Sequence, residues 1–382
     1  MRVLQLIPTL DQSGAEKQLM LLATGLPRPE CDVRVCCLTR GGAYQAELER
    51  AGIPVTVLGK RFRFDPVCLW RLRRLLREWS PDILQTWLFA GNAYGRLAAG
   101  SKPRFPIVVS ERCVDSWKAG WQFRVDRFLV SRTTRLIANS QSVAAFYRTQ
   151  GFPPERMVVI PNGVQLPREA PDRATVRREL QIPAHLPVVC FAGRLARQKR
   201  VDDLIWAFEL IRATRSDVLF LVAGDGPERA RLEEFAGGLG LEHHVRFLGH
   251  RADVGRILAA SDLFWLASDF EGMSNSVMEA MSYGLPVVAS DIPPNRELVV
   301  MGETGYLVPV GDRAAFTQFA DRLLFDPPLA RQMGEAGRER IATGFGVERM
   351  VQAHLDLYRM LSPTREPGGT SQPCGTSEPC AA

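Results

Sequence analysis

The chain has 382 residues, 46 % hydrophobic and 24 % charged, with a formal net charge of +6, which is too long for one ordinary core and too mixed for a disordered or fibrous protein. Two globular domains of roughly 150 to 190 residues are therefore expected. No apolar run reaches the roughly 18 residues of a membrane span, and the eight cysteines lack any CxxC pair or His/Cys ligand spacing, so neither a disulfide framework nor a structural metal is expected.

The charge is unevenly shared. Residues 1–168 carry 25 Lys and Arg against 13 Asp and Glu, and the remainder carries 23 against 29. A basic half beside an acidic half suggests that one domain faces something anionic, nucleic acid or a phospholipid surface. Met1 to Ile7 is a short strand run ending in Pro8 and Asp11, not a secretory signal, so a cytoplasmic location is expected.

In chain order, Val3–Ile7 reads as a buried strand, followed by the loop Pro8 to Ser13 and a helix from Gly14 that runs apolar through Leu19, Leu22 and Ala23. This strand, glycine loop and helix is a βα unit of phosphate-cradling type, although Ser13-x-x-Glu16 is also a capping box. Strands then alternate with helices: Val33 to Leu38, helix Ala43 to Ala51, Val55 to Leu58, helix Val67 to Trp79, Ile83 to Thr86, helix Asn92 to Ala99, Ile107 to Ser110. Leu136 to Asn139 and Met157 to Ile160 continue the series, and such alternation is the pattern of a doubly wound parallel sheet. Two stretches, Leu69 to Trp79 and Trp117 to Arg135, combine Arg with Trp, Phe and Leu at helical spacing. They read either as basic faces with aromatic membrane anchors or as core stripes with solvated backs.

Residues 166–187, rich in Pro and charge, read as the connection to a second domain. Val188 to Phe191 opens its sheet and is followed by Gly193-Arg194-Leu195-Ala196-Arg197-Gln198-Lys199. A basic loop between a strand's end and a helix start sits where open α/β sheets bind ligands, and Arg194 and Lys199 suit a diphosphate. Strand Leu219 to Ala223, the turn Gly224-Asp225-Gly226-Pro227, strand Val245 to Leu248 and strand Leu263 to Leu266 lead to Glu271 to Asp291. There Glu271 and Glu279 flank Met273-Ser274-Asn275-Ser276, which begins a helix stopped by Gly284 and Pro286. One carboxylate in the loop and one a turn into the helix share a crevice beside free backbone N–H groups, a plan for an anionic, hydroxyl-rich ligand. Ser276-x-x-Glu279 is equally a capping box. After a strand near Gly305 to Val308 and helices to Ala342, a final helix spans Val347 to Leu361, and Ser362 to Ala382 has the composition of a disordered tail.

The ordered set Gly193-Arg194-Leu195-x-x-x-Lys199, Gly224-Asp225-Gly226-Pro227, Phe247-Leu248-Gly249, Glu271-Gly272 with Glu279 eight residues on, and Gly284-Leu285-Pro286-Val287-Val288-Ala289, with Pro161-Asn162-Gly163-Val164 before it, resembles the family 4 retaining glycosyltransferases. The resemblance covers residues 1 to about 361. It implies the GT-B fold, two doubly wound Rossmann-like domains facing a central cleft: 1–168 on the acceptor side, 187–345 for the nucleotide sugar, 346–361 a helix crossing back to the first domain, and 362–382 a disordered tail. It implies a retaining, metal-independent transfer from a nucleotide-diphosphate sugar, with no cofactor, in which Arg194, Lys199 and Glu271 are catalytic. Donor contacts would come from Gly14, Gly193, Gly224, Arg251, Gly272, Met273, Ser274, Asn275 and Glu279.

Relatives carry a His after the strand matching Ile107 to Ser110, whereas here Ser110-Glu111-Arg112 stands and every His lies at 185 or later; Glu111 or Arg112 is then the acceptor-side candidate. The acceptor implied is a glycan or lipid-linked hydroxyl at the inner membrane face, reached through the basic first domain, and not nucleic acid. A nucleotide-sugar epimerase and a donor-binding protein without turnover are the alternatives on the same architecture.

Overall fold

The computed structural model describes residues 1–362 apart from 168, 170 and 216, so the expected tail lies, from residue 363 on, outside the described residues. Seven strands form the first sheet: β1 Arg2–Ile7, β2 Asp32–Cys37, β3 Val55–Val57, β4 Ile83–Trp87, β5 Ile107–Glu111, β6 Arg135–Ala138 and β7 Met157–Val159. Six form the second: β8 Val188–Ala192, β9 Leu219–Ala223, β10 Val245–Gly249, β11 Leu263–Leu266, β12 Val287–Ser290 and β13 Gly305–Val308. Their orders are β3-β2-β1-β4-β5-β6-β7 and β10-β9-β8-β11-β12-β13, and the pairings are parallel. β8 and β9 are buried at every position, which is why they read as unbroken apolar runs: helices cover both faces of the sheet.

In each sheet the chain winds outward through three strands, returns to the middle and winds the other way. The reversals fall between β1 and β4 and between β8 and β11. Loops leaving the C-terminal ends of such a pair diverge and open a crevice. The connections 193–200 after β8 and 267–274 after β11 carry seven of the fourteen candidate residues, and Gly14 directly follows the connection 8–13 after β1.

The first sheet's period of two separates its cores. Val3 and Ile7 join the cluster that includes Trp87, Met350 and Tyr358, whereas Leu4 and Leu6 face Leu72, Leu76 and Trp79. The latter three belong to the helix Pro66–Trp79, which Asp65 starts by accepting the Cys68 N–H at 3.0 Å, with Pro66 in its first turn. Trp70 points outward from that helix and is 54 % exposed. The stretch Trp117 to Arg135 is not one helix. Its helix is Gly120–Leu129, a single 3₁₀ turn Val130–Arg132 follows, and Arg135 already opens β6. Helical spacing of its aromatics hid the change of period at Thr133 and Thr134. Among the described residues no helix is long and apolar enough to cross a membrane.

The last helix, Val347–Leu361, lies against the first domain and not the second. It buries Met350, Val351, Leu355, Leu357 and Tyr358 there. A buried polar chain fixes its position: Trp87 Nε1 donates to Gln5 Oε1 (2.7 Å), Gln5 Nε2 donates to the Tyr358 hydroxyl (3.0 Å), that hydroxyl donates to Gln85 Oε1, and Gln85 Nε2 donates to Ser110 Oγ (2.8 Å). Tyr358→Phe strands two buried amide groups, which costs about 1–3 kcal/mol. A fall of several degrees in melting temperature is expected by calorimetry, and an unchanged transition would show that the chain is not needed to hold the helix.

Candidate active site

The 193–200 turn is shaped by close backbone approach. A Cβ on Gly224 would stand 1.8 Å from the Gly193 carbonyl oxygen, and one on Gly226 would stand 2.3 Å from that of Leu195. Leu195 is fully buried and its N–H donates to the Asp225 carbonyl (2.9 Å). With Leu195 as anchor the turn's cations point away from the core. Arg194 is exposed and has no ion-pair partner among the described residues. Lys199 Nζ reaches the Glu271 carboxylate, which also accepts from Ser268 Oγ (2.7 Å). The loops after β8 and β11 are thus joined, as Gln198 Nε2 donating to the Phe270 carbonyl also shows.

Past Glu271 the helix Asn275–Ser282 begins. Its cap is Ser274, whose Oγ accepts the Val277 N–H (3.4 Å), so the capping box built on Ser276 and Glu279 does not form. Glu279 instead points across to the first domain and pairs with Lys17 at 2.7 Å. Ser13-x-x-Glu16 departs in the same way: Ser13 has no side-chain cap bond and its hydroxyl contacts the Glu16 carboxylate directly. With Val277 capped, the Asn275 and Ser276 amides are the first-turn N–H groups that have no acceptor within the helix.

The two domains meet over this loop. Asn275 Nδ2 donates to the Gly14 carbonyl (3.1 Å), while its Oδ1 accepts from Gln18 Nε2 (3.2 Å) and Asn162 Nδ2 (2.7 Å). Asn162 Nδ2 also lies 3.1 Å from the Met273 carbonyl. The Val114 N–H donates to the Glu271 carbonyl (3.2 Å), and a Cβ on Gly272 would stand 1.9 Å from the Arg112 carbonyl oxygen. The contacts thus bring the loops and helix starts that carry Gly14, Gly193, Gly224, Lys199, Glu271, Gly272, Met273, Ser274, Asn275 and Glu279 together, and Arg194 is exposed on the Gly193 turn. Arg251 is committed elsewhere, both ends of its guanidinium on the Asp253 carboxylate (2.8 and 2.7 Å); the adjacent His250 is the residue that reaches across, to Gln12.

Both acceptor-side candidates need correction. Glu111 is 2 % exposed and bonded to Asn92 Nδ2 (2.9 Å) and Lys118 Nζ (3.3 Å). Arg112 is turned inward over the Trp87 ring, with its Nη2 on Asn162. The Glu111 carboxylate is spent on these contacts, whereas Arg112 Nε and Nη1 have no hydrogen-bond partner among the described residues. Around Lys118 three carboxyl groups, Glu111, Asp115 and Asp126, and the Tyr147 hydroxyl converge, with Arg96 on Asp126 as the second cation. Three acids against two cations leave a proton to be held, and burial pushes Glu111 up to about 7. The unfolded chain releases that proton near 4.5, so the folded state binds more protons between those values and stability falls as pH rises through them. Thermal melts of the native chain should therefore drop between pH 5 and 8, and Glu111→Gln should flatten the drop; parallel pH curves would refute it.

Lys17, Gln18 and Asn162 carry the junction, and helical spacing gives no sign of it for Lys17 or Gln18. Asn162 alone had a signal, its place in Pro161-Asn162-Gly163-Val164.

Two facing parallel-sheet domains whose winding reversals meet at one crevice have the architecture of the GT-B fold. Residues 12–168 match the model of Glycosyltransferase Family 4 and residues 172–340 that of Glycosyl transferases group 1; the chain belongs to this family. The lipopolysaccharide core biosynthesis glycosyltransferase LpsD of Rhizobium meliloti is 26 % identical over 91 % of this chain and 95 % of its own length. An Escherichia coli UDP-Gal:alpha-D-GlcNAc-diphosphoundecaprenol alpha-1,3-galactosyltransferase is 28 % identical over 93 % and 95 %. Anabaena HepE, in its complex with UDP-glucose, superposes with a TM-score of 0.85 at 26 % identity, covering 94 % of this chain and 100 % of that one.

Proposed function

We propose that the protein moves a hexosyl group, with retained anomeric configuration and without a metal ion, from a nucleoside diphosphate sugar to a hydroxyl of a glycan or lipid-linked acceptor. The observation that carries this reading is the contact of Lys199 with Glu271, near exposed Arg194, which has no ion-pair partner among the described residues, and the start of the Asn275–Ser282 helix. Cleaving the bond from C1 to the phosphate oxygen develops charge on the leaving diphosphate. Two cations and a helix N-terminus stabilise that charge in place. In this reading Glu271 holds sugar hydroxyls and does not attack C1, and its bonds to Lys199 and Ser268 support that role. The acceptor oxygen then bonds C1 on the face the diphosphate leaves, and its proton passes to a phosphate oxygen. Glu279, oriented by Lys17, suits the ribose hydroxyls.

The first domain supports an acceptor at a membrane surface. Besides its positive charge it exposes Phe62, Phe64, Trp117 and Trp121, with the Arg63 guanidinium 4.6 Å from the Trp121 ring centre, an interfacial combination. The relatives named for lipopolysaccharide core and for a diphosphoundecaprenol substrate agree with that acceptor class.

UDP-glucose is the first donor to test, since HepE holds it. Nucleoside diphosphate release should occur in excess EDTA, and NMR of the product should show the donor's anomeric configuration. Inversion, or loss of activity on chelation, would sink the mechanism. Failure of anionic vesicles to bind the protein, or equal binding by Trp117→Ala/Trp121→Ala, would sink the membrane part.

A further inference from the structure

At the opposite edge of the first sheet, where β5 and β6 begin, a depression of about 480 Å³ is bounded by Phe105, Thr133 and four arginines, Arg104, Arg132, Arg135 and Arg156. Five-residue β5 separates it from the crevice, roughly 15 Å at about 3.3 Å per residue. Three of the guanidinium groups are half-buried and held by backbone carbonyls: Arg156 Nη1 on Val130 (3.4 Å) and Thr133 (3.2 Å), Arg132 Nη1 on Arg96 (3.3 Å), and Arg135 Nη1 on Thr134 (2.9 Å). None of the four has a carboxylate within ion-pair distance among the described residues, and what sets them apart from other half-buried arginines without one, such as Arg246 and Arg340, is that they gather around one depression. The Thr133 hydroxyl, in a residue 1 % exposed, also lacks a partner.

Cations gathered in a concave site with no acid repel one another and gain little from the protein. Each of the three held groups is fixed through one nitrogen, which leaves other N–H donors of a planar fork, the geometry that matches phosphate oxygens. We propose that this depression binds a soluble anion carrying at least two phosphate groups, at a second site distinct from the donor crevice. One phosphate cannot engage four guanidinium groups spread around a cavity of this size, whereas a diphosphate or nucleotide can.

Titration calorimetry of the full chain with inorganic pyrophosphate tests this. Two classes of site are expected in the native protein, one at each end of the first domain's strands. Arg135→Ala/Arg156→Ala should remove one class while turnover of the donor continues, Lys199→Ala should weaken only the other, and exposed Arg104→Ala should loosen the second site about tenfold. Should the double variant misfold, Arg104→Ala carries the test alone. A single class in the native protein, or two classes persisting in the arginine variants, overturns the proposal. So does binding of phosphatidylglycerol vesicles that pyrophosphate cannot displace but the double variant abolishes, which would give the depression to a lipid headgroup.

Discussion

Lys199→Ala is expected to lower kcat/KM for sugar transfer by about 10²- to 10³-fold, the loss that follows when one fixed donor to a developing anion is removed. Two effects act in the same direction. The cation that would neutralise the leaving diphosphate is gone, and Glu271, whose side chain is 11 % exposed, keeps a charge that now faces the diphosphate unpaired. Glu271→Gln in the Lys199→Ala background should therefore recover part of the donor affinity without restoring turnover. Lys199→Arg should fall between, because a guanidinium keeps the charge and changes the reach. Steady-state release of nucleoside diphosphate and a thermal melt on each variant separate chemistry from folding. Native kcat/KM in Lys199→Ala would remove this residue from the mechanism.

The second large effect is expected from one methyl group. Gly272 is not among the glycines of left-handed conformation, so alanine suits its backbone, and the obstacle is only the Arg112 carbonyl oxygen 1.9 Å from the added Cβ and the Cys113 Cα 2.9 Å away. Backbone atoms of another domain cannot swing aside as a long side chain can. The domains must part by an ångström or more, and displacement of that order costs about 10²-fold in rate when reacting groups must meet across the gap. Gly272→Ala should thus lower kcat about 10²-fold with a nearly unchanged melting temperature and donor affinity. Gly224→Ala differs, since its clash with Gly193 lies inside the second domain and should lower stability. If Gly272→Ala turns over normally, the apposition of Arg112 and Gly272 is not the productive arrangement.

How much of this could be read from the chain depends on how local each cause is. Both sheets are legible because fully covered parallel strands must be apolar throughout, as Val188–Ala192 is, and because Gly and Pro punctuate them. Arg194, Lys199, Glu271 and the helix after it are legible because strand ends at a winding reversal are where ligands bind. The Lys17 to Glu279 pair is not: it joins residues 262 positions apart, and a lysine in a helix's first turn looks like any solvated charge. Glu111 and Arg112 misled because a polar residue at a strand's end reads as facing the crevice, whereas both are drawn inward by Asn92, Lys118 and Asn162. Trp117 to Arg135 misled because two of its aromatics, Trp121 and Phe128, are surface groups on a short helix and Trp117 lies before it, and aromatic spacing cannot mark where a helix gives way to a strand.

The return of the final helix sets an order on biosynthesis. Tyr358, Met350 and Leu355 complete a core whose other members begin at Val3, so the first domain emerges early from the ribosome yet lacks a wall until the last described residues follow. The second domain, although translated later, has its whole interior in hand by residue 341. A chain ended at residue 345 should give a protease-resistant second domain and a digestible first; resistance of both halves would mean that the early-made part closes unaided.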